Sequence, residues 1–324
     1  MRVFRSVSEV PDDARNCAIS IGNFDGVHEG HKSLLRRNRE LCRENGWISS
    51  VLTFDPHPTT IVAPERAPHL LTTMEQRLAL IAAEGIEQAF VLRFDLNFSH
   101  LEPDEFVREV LARGLGAKAV LVGDSFRFGS HHAGNVQTLR TLGEECGFCT
   151  EVAPLVVIRG RMVSSTAVRE LVNTGDVSAA CRMLGRPYAL EGEVVGGFGI
   201  GSKQTVPTLN LDTKSEVLPA SGVYITRTRD LGDGREWPSV TNVGFRPTFN
   251  GDRLTIETFL LATLEGPTPQ RIRVEFLRRV REERRFDSPE SLKKQIMVDV
   301  GRAKAYFRRL GAFRTLRARD NLKN

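Results

Sequence analysis

Two histidines beside a run of glycines are the residues with the clearest capacity for chemistry in this sequence. The motif Gly22-Asn-Phe-Asp-Gly-Val-His-Glu-Gly-His31 places His28 and His31 three positions apart, where a buried strand gives way to a helix. Glycines let the backbone approach a phosphate closely, and a helix N-terminus offers free N–H groups and a partial positive charge. The motif therefore predicts a site for a phosphoryl group, with a zinc site or a plain helix cap as the alternatives.

Three further segments in the first half carry side chains that could complete this site. They are Thr53-Phe-Asp-Pro-His-Pro58, Val122-Gly-Asp-Ser-Phe-Arg-Phe-Gly129 and Val163-Ser-Ser-Thr-Ala-Val-Arg169. Aromatic rings and an arginine can hold a planar ring and a phosphate together, although core packing is an equal alternative for Phe126. The hydroxyls that open the third segment could hold a triphosphate or simply cap a helix.

A second set of chemical residues lies in the C-terminal half. Backbone N–H groups of a glycine-rich loop with a lysine can surround phosphates, which is the pattern of Gly197, Gly199, Gly201 and Lys203. Thr208 and Asn210 lie two positions apart, so on a strand they offer two oxygens on one face for Mg²⁺ and phosphate. Glu257 is an acid in an otherwise apolar strand pattern, for which a solvent-facing position is the alternative.

The elements that must position the first set alternate between strand and helix. Strands are expected at 17–21, 48–54, 89–94 and 119–122, and helices at 31–43, 74–83, 103–111 and 136–146. This alternation predicts an α/β fold with a parallel sheet and helices on its faces. Ligands of such sheets bind beyond the carboxyl ends of the strands, where the first set of residues lies.

The pattern changes near residue 190. Short strands are expected at 191–195, 208–211, 223–228, 239–243, 255–261 and 272–277, with a turn-rich segment at 242–249. Six short strands at this spacing are typical of a small antiparallel β-barrel. A helix from about Ser288 closes the chain, and the boundary between the two domains is expected near Gly185.

Composition and charge exclude several classes of protein. The chain has 324 residues, 40% of them apolar and 26% charged, which fits two globular domains and excludes a collagen or a mainly disordered chain. The net charge is +5, made of +10 from residue 271 onward and −5 before it. This favours acidic partners, with a solvated helix face as the alternative. Five cysteines and the lack of a signal peptide or long apolar run predict a soluble cytoplasmic protein.

The motifs of the first half resemble the nucleotidyltransferase domain of the bacterial bifunctional riboflavin kinase/FMN adenylyltransferase (FAD synthetase) family. Those of the barrel resemble its riboflavin kinase module, so the resemblance covers nearly the whole chain. It implies a doubly wound adenylyltransferase domain at 1–185, a kinase barrel with its closing helix at 186–310 and a basic tail at 311–324. The implied reactions are phosphorylation of riboflavin to FMN by ATP, and adenylyl transfer from ATP to FMN giving FAD and pyrophosphate. Mg²⁺ is implied as cofactor, with small-molecule substrates and with neither nucleic acid nor membrane as partner.

The resemblance also implies roles for individual residues of the first domain. His28 and His31 contact the phosphates of ATP. Phosphate binding is shared by Gly22, Asn23, Phe24, Asp25, Ser164, Ser165, Thr166 and Arg169. The flavin and nucleotide pocket takes in Thr53, Asp55, His57, Ser125, Phe126, Arg127 and Phe128. Ser125 departs from the family, which commonly has Asp or Asn there, and its side chain has a shorter reach.

In the barrel, the family pattern Pro-Thr-x-Asn for Mg²⁺ and ATP matches Thr208 and Asn210, and the catalytic glutamate matches Glu257. The glycines and lysine named above match the ATP loop, and Arg281 and Glu283 match flavin-binding positions. The chain departs from the family at Thr205-Val206, where Gly-Phe is frequent, and at Leu209, where alanine is frequent.

The two reactions make different chemical demands. A hydroxyl that attacks ATP needs a base, which Glu257 can supply, whereas the phosphate of FMN is already anionic and needs positioning and positive charge. Two alternatives stay open at this stage. One is a family paralogue that has lost one activity, and the other is a nucleic-acid-binding protein, which the basic C-terminal stretch suggests.

Overall fold

A computed structural model describes residues 1–196, 208–248, 251–284 and 286–311, with the backbone alone at 245–248 and 251–254. The described backbone forms two compact units, which divide between Ser165 and Thr166. The predicted boundary near residue 185 stays a prediction. No helix in the described part of the chain combines the length and the apolar character that a membrane crossing requires.

The first unit alternates strands with helices, as expected. Its strands are β1 (Arg2–Phe4), β2 (Cys17–Ile21), β3 (Ile48–Asp55), β4 (Gln88–Arg93), β5 (Ala117–Gly123), β6 (Arg127–Phe128), β7 (Gly134–Asn135), β8 (Cys149–Ala153), β9 (Val157–Ile158) and β10 (Arg161–Met162). Its helices are α1 (Glu29–Asn45), α2 (Pro58–Val62), α3 (Met74–Ala83), α4 (Leu96–Ser99), α5 (Pro103–Glu105, continued by a π-helix at Phe106–Gly114) and α6 (Val136–Cys146). Short 3₁₀ turns lie at Val7–Glu9, Asp12–Ala14, Pro64–Arg66 and Ser130–His132.

The main sheet of this unit is parallel throughout, in the order β1-β4-β3-β2-β5-β8. The chain moves outward from β2 through β3 to β4 and then returns to the other side of β2 as β5. Helices α1 and α3 cover one face, where Leu35 and Ile81 pack on Ala18. The π-helix and α6 cover the other face, where Leu111 and Leu139 pack on Ile19. The strand order reverses between β2 and β5, which is where a doubly wound sheet opens a ligand crevice.

Two helices and a barrel follow in the second part of the chain. The helices are α7 (Ser165–Asn173) and α8 (Val177–Leu184), and the barrel strands are β11 (Tyr188–Val195), β12 (Thr208–Thr213), β13 (Gly222–Asp230), β14 (Glu236–Thr248), β15 (Gly251–Leu260) and β16 (Arg271–Glu282). Within the described residues these six strands close an antiparallel barrel in the order β11-β12-β15-β14-β13-β16. The predicted fold class is therefore confirmed for both halves.

The barrel interior contains hydroxyl groups as well as apolar side chains. Thr226 Oγ1 lies 2.8 Å from Ser239 Oγ and 2.7 Å from Thr241 Oγ1, and Thr241 Oγ1 lies 3.0 Å from Thr258 Oγ1. These four side chains are fully buried. Because side chains alternate along a strand, the neighbours of Thr241 and Thr258 point away from the interior.

Helix α9 (Pro289–Arg309) packs on the outside of the barrel. Ser288 caps it, Pro289 occupies its first turn, and Ala303 and Phe307 bury the apolar face against Val223. The closing helix predicted from Ser288 is therefore confirmed.

One predicted element was wrong. The turn-rich interpretation of 242–249 is replaced by strand at 242–248, because the backbone of β14 continues to Thr248 and pairs with β15 as far as Gly251, while residue 249 lies outside the described residues. Glycine and proline suggested a turn there, but cross-strand pairing overrides that local preference.

Candidate active sites

The histidine motif forms the turn from β2 into α1. His28 is the N-cap residue of α1, and its Nδ1 accepts a hydrogen bond from the His31 backbone N–H at 3.3 Å. The two imidazole rings stack with their centroids 3.6 Å apart, and the ring of Phe24 lies 5.2 Å from that of His31. His28 therefore does cap the helix, as one alternative proposed, but capping uses only one of its two ring nitrogens. The described residues contain no cluster of three or more metal-ligating side chains.

His31 is held in its neutral form. Burial lowers its pKa well below the ordinary value of 6.5, and the nearby His28 and Arg77 lower it further. Its Nδ1 atom is buried and has no hydrogen-bond partner among the described residues. At neutral pH this imidazole can therefore donate or accept a hydrogen bond, but it carries no positive charge.

Asp25 anchors the loop that carries the histidines. Its buried carboxylate accepts hydrogen bonds from the backbone N–H groups of Leu71 and Thr72 at 3.0–3.1 Å and lies 3.7 Å from the guanidinium of Arg77. The loop itself is strained, because Phe24 and Val27 have φ values of 50° and 38°. The contacts of Asp25 stabilise this shape, and its predicted part in ATP binding stays a prediction.

The second predicted segment meets the first through Asn23. The Asn23 side-chain amide lies 2.9 Å from His57 Nε2, and Thr53 Oγ1 donates to the Asn23 carbonyl at 3.4 Å. His57 Nδ1 accepts a hydrogen bond from the Thr59 N–H at 3.3 Å. Asp55 is exposed nearby, at the end of β3.

The segment 163–169 also contacts the histidine loop. Ser165 Oγ donates to the Asp25 carbonyl at 2.9 Å. A Cβ atom on Gly30 would lie 3.1 Å from the His28 ring and 3.8 Å from the Val163 carbonyl, so glycine permits this close approach. Ser164 directly precedes α7, and Thr166 and Arg169 lie along α7 beyond the division between the units.

The segment 122–129 begins at the end of β5, the strand beside β2. Phe126 and Phe128 stack with ring centroids 5.4 Å apart, and both pack against the core. Ser125 and Arg127 are exposed, and Arg127 donates to the Phe126 carbonyl at 3.0 Å. Phe126 thus packs against the core, as the core-packing interpretation expects, and its part in a ligand pocket stays a prediction.

In the barrel, strand register brings the predicted kinase residues together. Glu257 on β15 is paired with Asn210 on β12 and with Asn242 on β14. Residues directly opposite each other in a sheet project from the same face, so the three polar side chains form one row. Val223 and Arg281 continue the row on β13 and β16. The partners on the other face are Thr241 and Thr258, which fill the interior.

A cavity of about 280 Å³ lies over this row, between the barrel and α9. Glu257, Asn242, Arg281 and Glu283 line it, so it contains three of the residues that the sequence predicted. Glu257 is half-buried in its wall and is not a solvent-facing strand residue. The rest of the wall is mainly apolar, and includes Val223, Val240, Phe259, Phe286, Leu292, Ile296 and Val300.

Sequence reasoning missed the residue that holds Arg281. The buried Asp299 of α9 accepts a hydrogen bond from Arg281 Nε at 2.9 Å and another from Gln295 Nε2 at 2.9 Å. The Arg281 guanidinium also lies 5.6 Å from the centroid of the Phe286 ring. An acid within the apolar stripe of the last helix, beside Ile296 and Val300, is the signal that could have identified Asp299.

A second cavity, of about 650 Å³, lies at the start of β12. Thr208, Leu209, Glu193 and Gly196 line it, together with the 268–271 segment before β16. The predicted phosphate loop, Gly197, Gly199, Gly201 and Lys203, lies outside the described residues. Thr208 thus lines one cavity and Glu257 the other. Asn210 lies two residues after Thr208 and directly opposite Glu257.

Comparison with known proteins assigns both halves of the chain. The FAD synthetase family model matches residues 10–167, and the riboflavin kinase model matches residues 184–307. The chain is 38% identical to the bifunctional riboflavin kinase/FMN adenylyltransferase of Pseudomonas fluorescens, over 94% of this chain and 97% of that one. It is 34% identical to the protein of the same name from Escherichia coli K12, over 95% of this chain and 97% of that one. The chain belongs to this family.

Membership of the bifunctional riboflavin kinase/FMN adenylyltransferase family confirms the predicted pair of enzymatic domains and their order along the chain. A crystal structure described as a macrolide-efflux protein from Streptococcus pneumoniae matches with a TM-score of 0.84, covering 93% of this chain and 98% of that one. At 24% identity, that likeness concerns the fold alone.

Proposed function

We propose that the barrel phosphorylates riboflavin with ATP, using Glu257 as its base, and that the first domain joins FMN to the adenylyl group of ATP around His28 and His31. The observation that carries this proposal is the pairing of Asn210 with Glu257 across β12 and β15. It sets a side chain suited to ATP and its metal directly beside a carboxylate that opens into a cavity.

The kinase step follows from that pairing. The ribityl hydroxyl of riboflavin enters the cavity over Glu257, whose carboxylate takes the hydroxyl proton as the oxygen attacks the γ-phosphorus of ATP. ADP leaves from the Asn210 side. Arg281, fixed by Asp299, and Glu283 hold the flavin at the far end of the cavity.

The donor set at Thr208 and Asn210 fits Mg²⁺. A hydroxyl and an amide oxygen on one face of a strand are hard oxygen ligands, and Mg²⁺ in kinases takes few protein ligands because phosphates and waters complete its shell. When bound, Mg²⁺ neutralises negative charge on the phosphates. Thr208 and Asn210 would hold it, and the cavity that Thr208 lines would hold the nucleotide.

The adenylyl step needs no base. The FMN phosphate is anionic at neutral pH and attacks the α-phosphorus of ATP, with release of pyrophosphate. His28, His31 and the N-terminus of α1 hold phosphate oxygens at the point where the strand order reverses. Ser164, Ser165, Thr166 and Arg169 hold the triphosphate, while the ends of β3 and β5 hold the ring systems.

The remaining expectations are proposals of the same kind. The substrates are the small molecules riboflavin, FMN and ATP, without a nucleic-acid partner, and the enzyme works in the cytoplasm. The phosphate-binding residues that can be placed belong to short local motifs and not to the basic C-terminal stretch, which supports small anionic ligands over a polyanion.

Glu257→Gln provides the direct test. With ATP and Mg²⁺, the variant should convert riboflavin to FMN about 10²–10⁴ times more slowly, because amide cannot accept the proton. It should convert supplied FMN to FAD at the rate of the unaltered enzyme. Chromatography of the flavins measures both steps.

Glu236→Gln is the matched control, since Glu236 also lies on a barrel strand but pairs with Arg229 at the surface. Its phosphorylation rate should not change. Loss of FAD formation from FMN in Glu257→Gln, with phosphorylation intact, would reverse the assignment of the two sites. Formation of FMN without FAD by the unaltered enzyme would support a paralogue that has lost one activity.

A further inference from the structure

The proposed kinase mechanism gives no task to Asn242, a polar residue of the cavity. Asn242 lies on β14, is half-buried, and lines the cavity between the barrel and α9. It belongs to the 242–249 segment, which the sequence alone suggested to be a turn. The strand that replaces that turn fixes where the side chain points.

Register determines the neighbours of Asn242. Glu257 is its partner on one side and Val223 its partner on the other. Thr241, the residue before it, faces the interior and is hydrogen-bonded to Thr258, so Asn242 faces outward beside the Glu257 carboxylate.

Asn210 and Asn242 lie on opposite sides of Glu257, so the two sides of the polar row can bind different parts of the reactants. Asn210, on the phosphate side of Glu257, belongs to the proposed ATP and metal site. The alcohol that is to be phosphorylated has to reach Glu257 from the opposite side, which is the side of Asn242. An asparagine amide has both donors and acceptors, so it can pair with a hydroxyl, which also has both.

The rest of the cavity favours the same orientation. Val240 and Phe259 form the next pair on the same face, two residues from Asn242 and Glu257. Phe286, Ile296 and Val300 line the cavity with them. A flat apolar ring system would occupy that apolar part. A polyol chain attached to the ring would then lie along the polar row.

We propose that Asn242 binds the hydroxyl next to the reacting one on the polyol chain of the kinase substrate, and so makes the site specific for a ring that carries such a chain. This rests on the proposed function. In the reaction the proton passes from the attacking hydroxyl to Glu257, the new O–P bond forms and the bond to ADP breaks. Asn242 exchanges no proton and fixes the chain through hydrogen bonds.

Kinetics of the full-length enzyme can test this with two ligands. Riboflavin carries the polyol chain, whereas lumichrome is a flavin ring system without it, which we expect to compete with riboflavin for the apolar part of the cavity. In Asn242→Leu, the KM for riboflavin should rise about tenfold, the worth of a hydrogen bond to a partly buried group. The inhibition constant of lumichrome should stay within twofold.

A matched control variant should weaken the binding of both ligands equally. Val240→Ala shortens a side chain on the apolar side of the cavity, so it should weaken riboflavin and lumichrome by similar factors. If Asn242→Leu does not fold, Asn242→Asp keeps the shape while replacing the amide donor by a carboxylate, and the same contrast between the ligands is expected.

Equal weakening of both ligands by Asn242 variants, or no weakening of either, would overturn the assignment. If Glu257→Gln still phosphorylates riboflavin at full rate, the proposed function itself fails. If Glu257→Gln is inactive while Asn242→Leu matches the unaltered enzyme, only the role of Asn242 fails.

Discussion

His31 shows how a single residue can be tuned by its surroundings. Its imidazole stacks on His28 at a centroid distance of 3.6 Å in a buried turn, and two neighbouring cations would be costly there. Burial, His28 and Arg77 all lower its pKa. In the proposed adenylyltransferase site, the N-terminus of α1 would supply positive potential, and the neutral His31 would contribute a hydrogen bond without a charge.

The lowered pKa predicts how the stability of the first domain depends on pH. Below pH 6.5, His31 takes up a proton when the chain unfolds but stays neutral when it is folded. The free energy of unfolding therefore decreases as the pH is lowered below 6.5, by up to about 1.4 kcal/mol per pH unit, until the folded-state pKa is reached. His31→Gln should lack this component, while His100→Gln, at an exposed site, should retain it.

Fluorescence during urea unfolding from pH 7.5 to pH 5 can measure the effect. The chain has two tryptophans, so a Trp237→Phe background leaves Trp47, in the first domain, as the reporter. The same pH dependence in His31→Gln as in its parent would show that another group is responsible.

The close packing of Glu283 on Gly244 allows a test of the flavin-binding role proposed for Glu283. A Cβ atom at this position would lie 2.1 Å from Glu283 Oε1, so Gly244→Ala must move the Glu283 carboxylate. Because that carboxylate is the end of a flexible side chain, the barrel should still fold. We expect the KM for riboflavin to rise about fivefold, roughly the loss of one hydrogen bond, with FMN adenylylation unchanged.

Gly301→Ala is the corresponding control, since an added methyl group on this face of α9 meets no atom within 4 Å. It should leave the KM for riboflavin unchanged. An unchanged KM in Gly244→Ala as well would remove Glu283 from the flavin site.

At the scale of elements, the β2–α1 turn depends on one buried ion pair. Asp25 and Arg77 are each only 2% exposed, and Asp25 also binds the backbone that leads into α3. Asp25→Asn leaves the Arg77 charge unpaired, so we expect the first domain to lose about 3–5 kcal/mol of stability. Adenylyl transfer should fall with it, because the strained turn at Phe24 and Val27 loses its support.

The double variant Asp25→Asn with Arg77→Met separates charge from hydrogen bonding. Removing the unpaired cation should recover part of the lost stability. Urea unfolding in the Trp237→Phe background measures both variants, and riboflavin phosphorylation should remain in each. Equal stability of the single and double variants would show that the buried charge of Arg77 is not the cause.

Strongly patterned elements could be predicted from the sequence, and weakly patterned ones could not. The strand Cys17–Ile21 and the helices Met74–Ala83 and Val136–Cys146 have the predicted bounds, because each has a continuous apolar pattern or a capped start. The edge strands Arg2–Phe4 and Cys149–Ala153 were missed. Both are partly exposed and pair on one side only, so their sequences lack a buried run.

At the scale of the whole molecule, two separate sites predict complementation between variants. His28→Ala with His31→Ala should make FMN from riboflavin but little FAD, and Glu257→Gln should make FAD only from supplied FMN. Mixed together with riboflavin, ATP and Mg²⁺, the two proteins should form FAD, because FMN released by one can bind the other.

Chromatography over time would show FMN accumulate before FAD in the mixture. Each protein alone with riboflavin is the control, and neither should form FAD at an appreciable rate. Absence of FAD from the mixture, although each protein retains its own activity, would mean that FMN does not pass through solution.

The sequence by itself determined the two kinds of domain, the family and the local motifs, because glycine spacing, capping residues and alternation act over a few neighbouring residues. It also determined that Thr208 and Asn210 share a face, since a strand repeats every two residues. Only the tertiary structure decided that Asn242 lies beside Glu257, that Asp299 holds Arg281 and that Asp25 is tied to Leu71 and Thr72. Those pairs join residues from 15 to 47 positions apart. Strand register and helix packing bring them together, and neither can be read from the spacing of nearby residues.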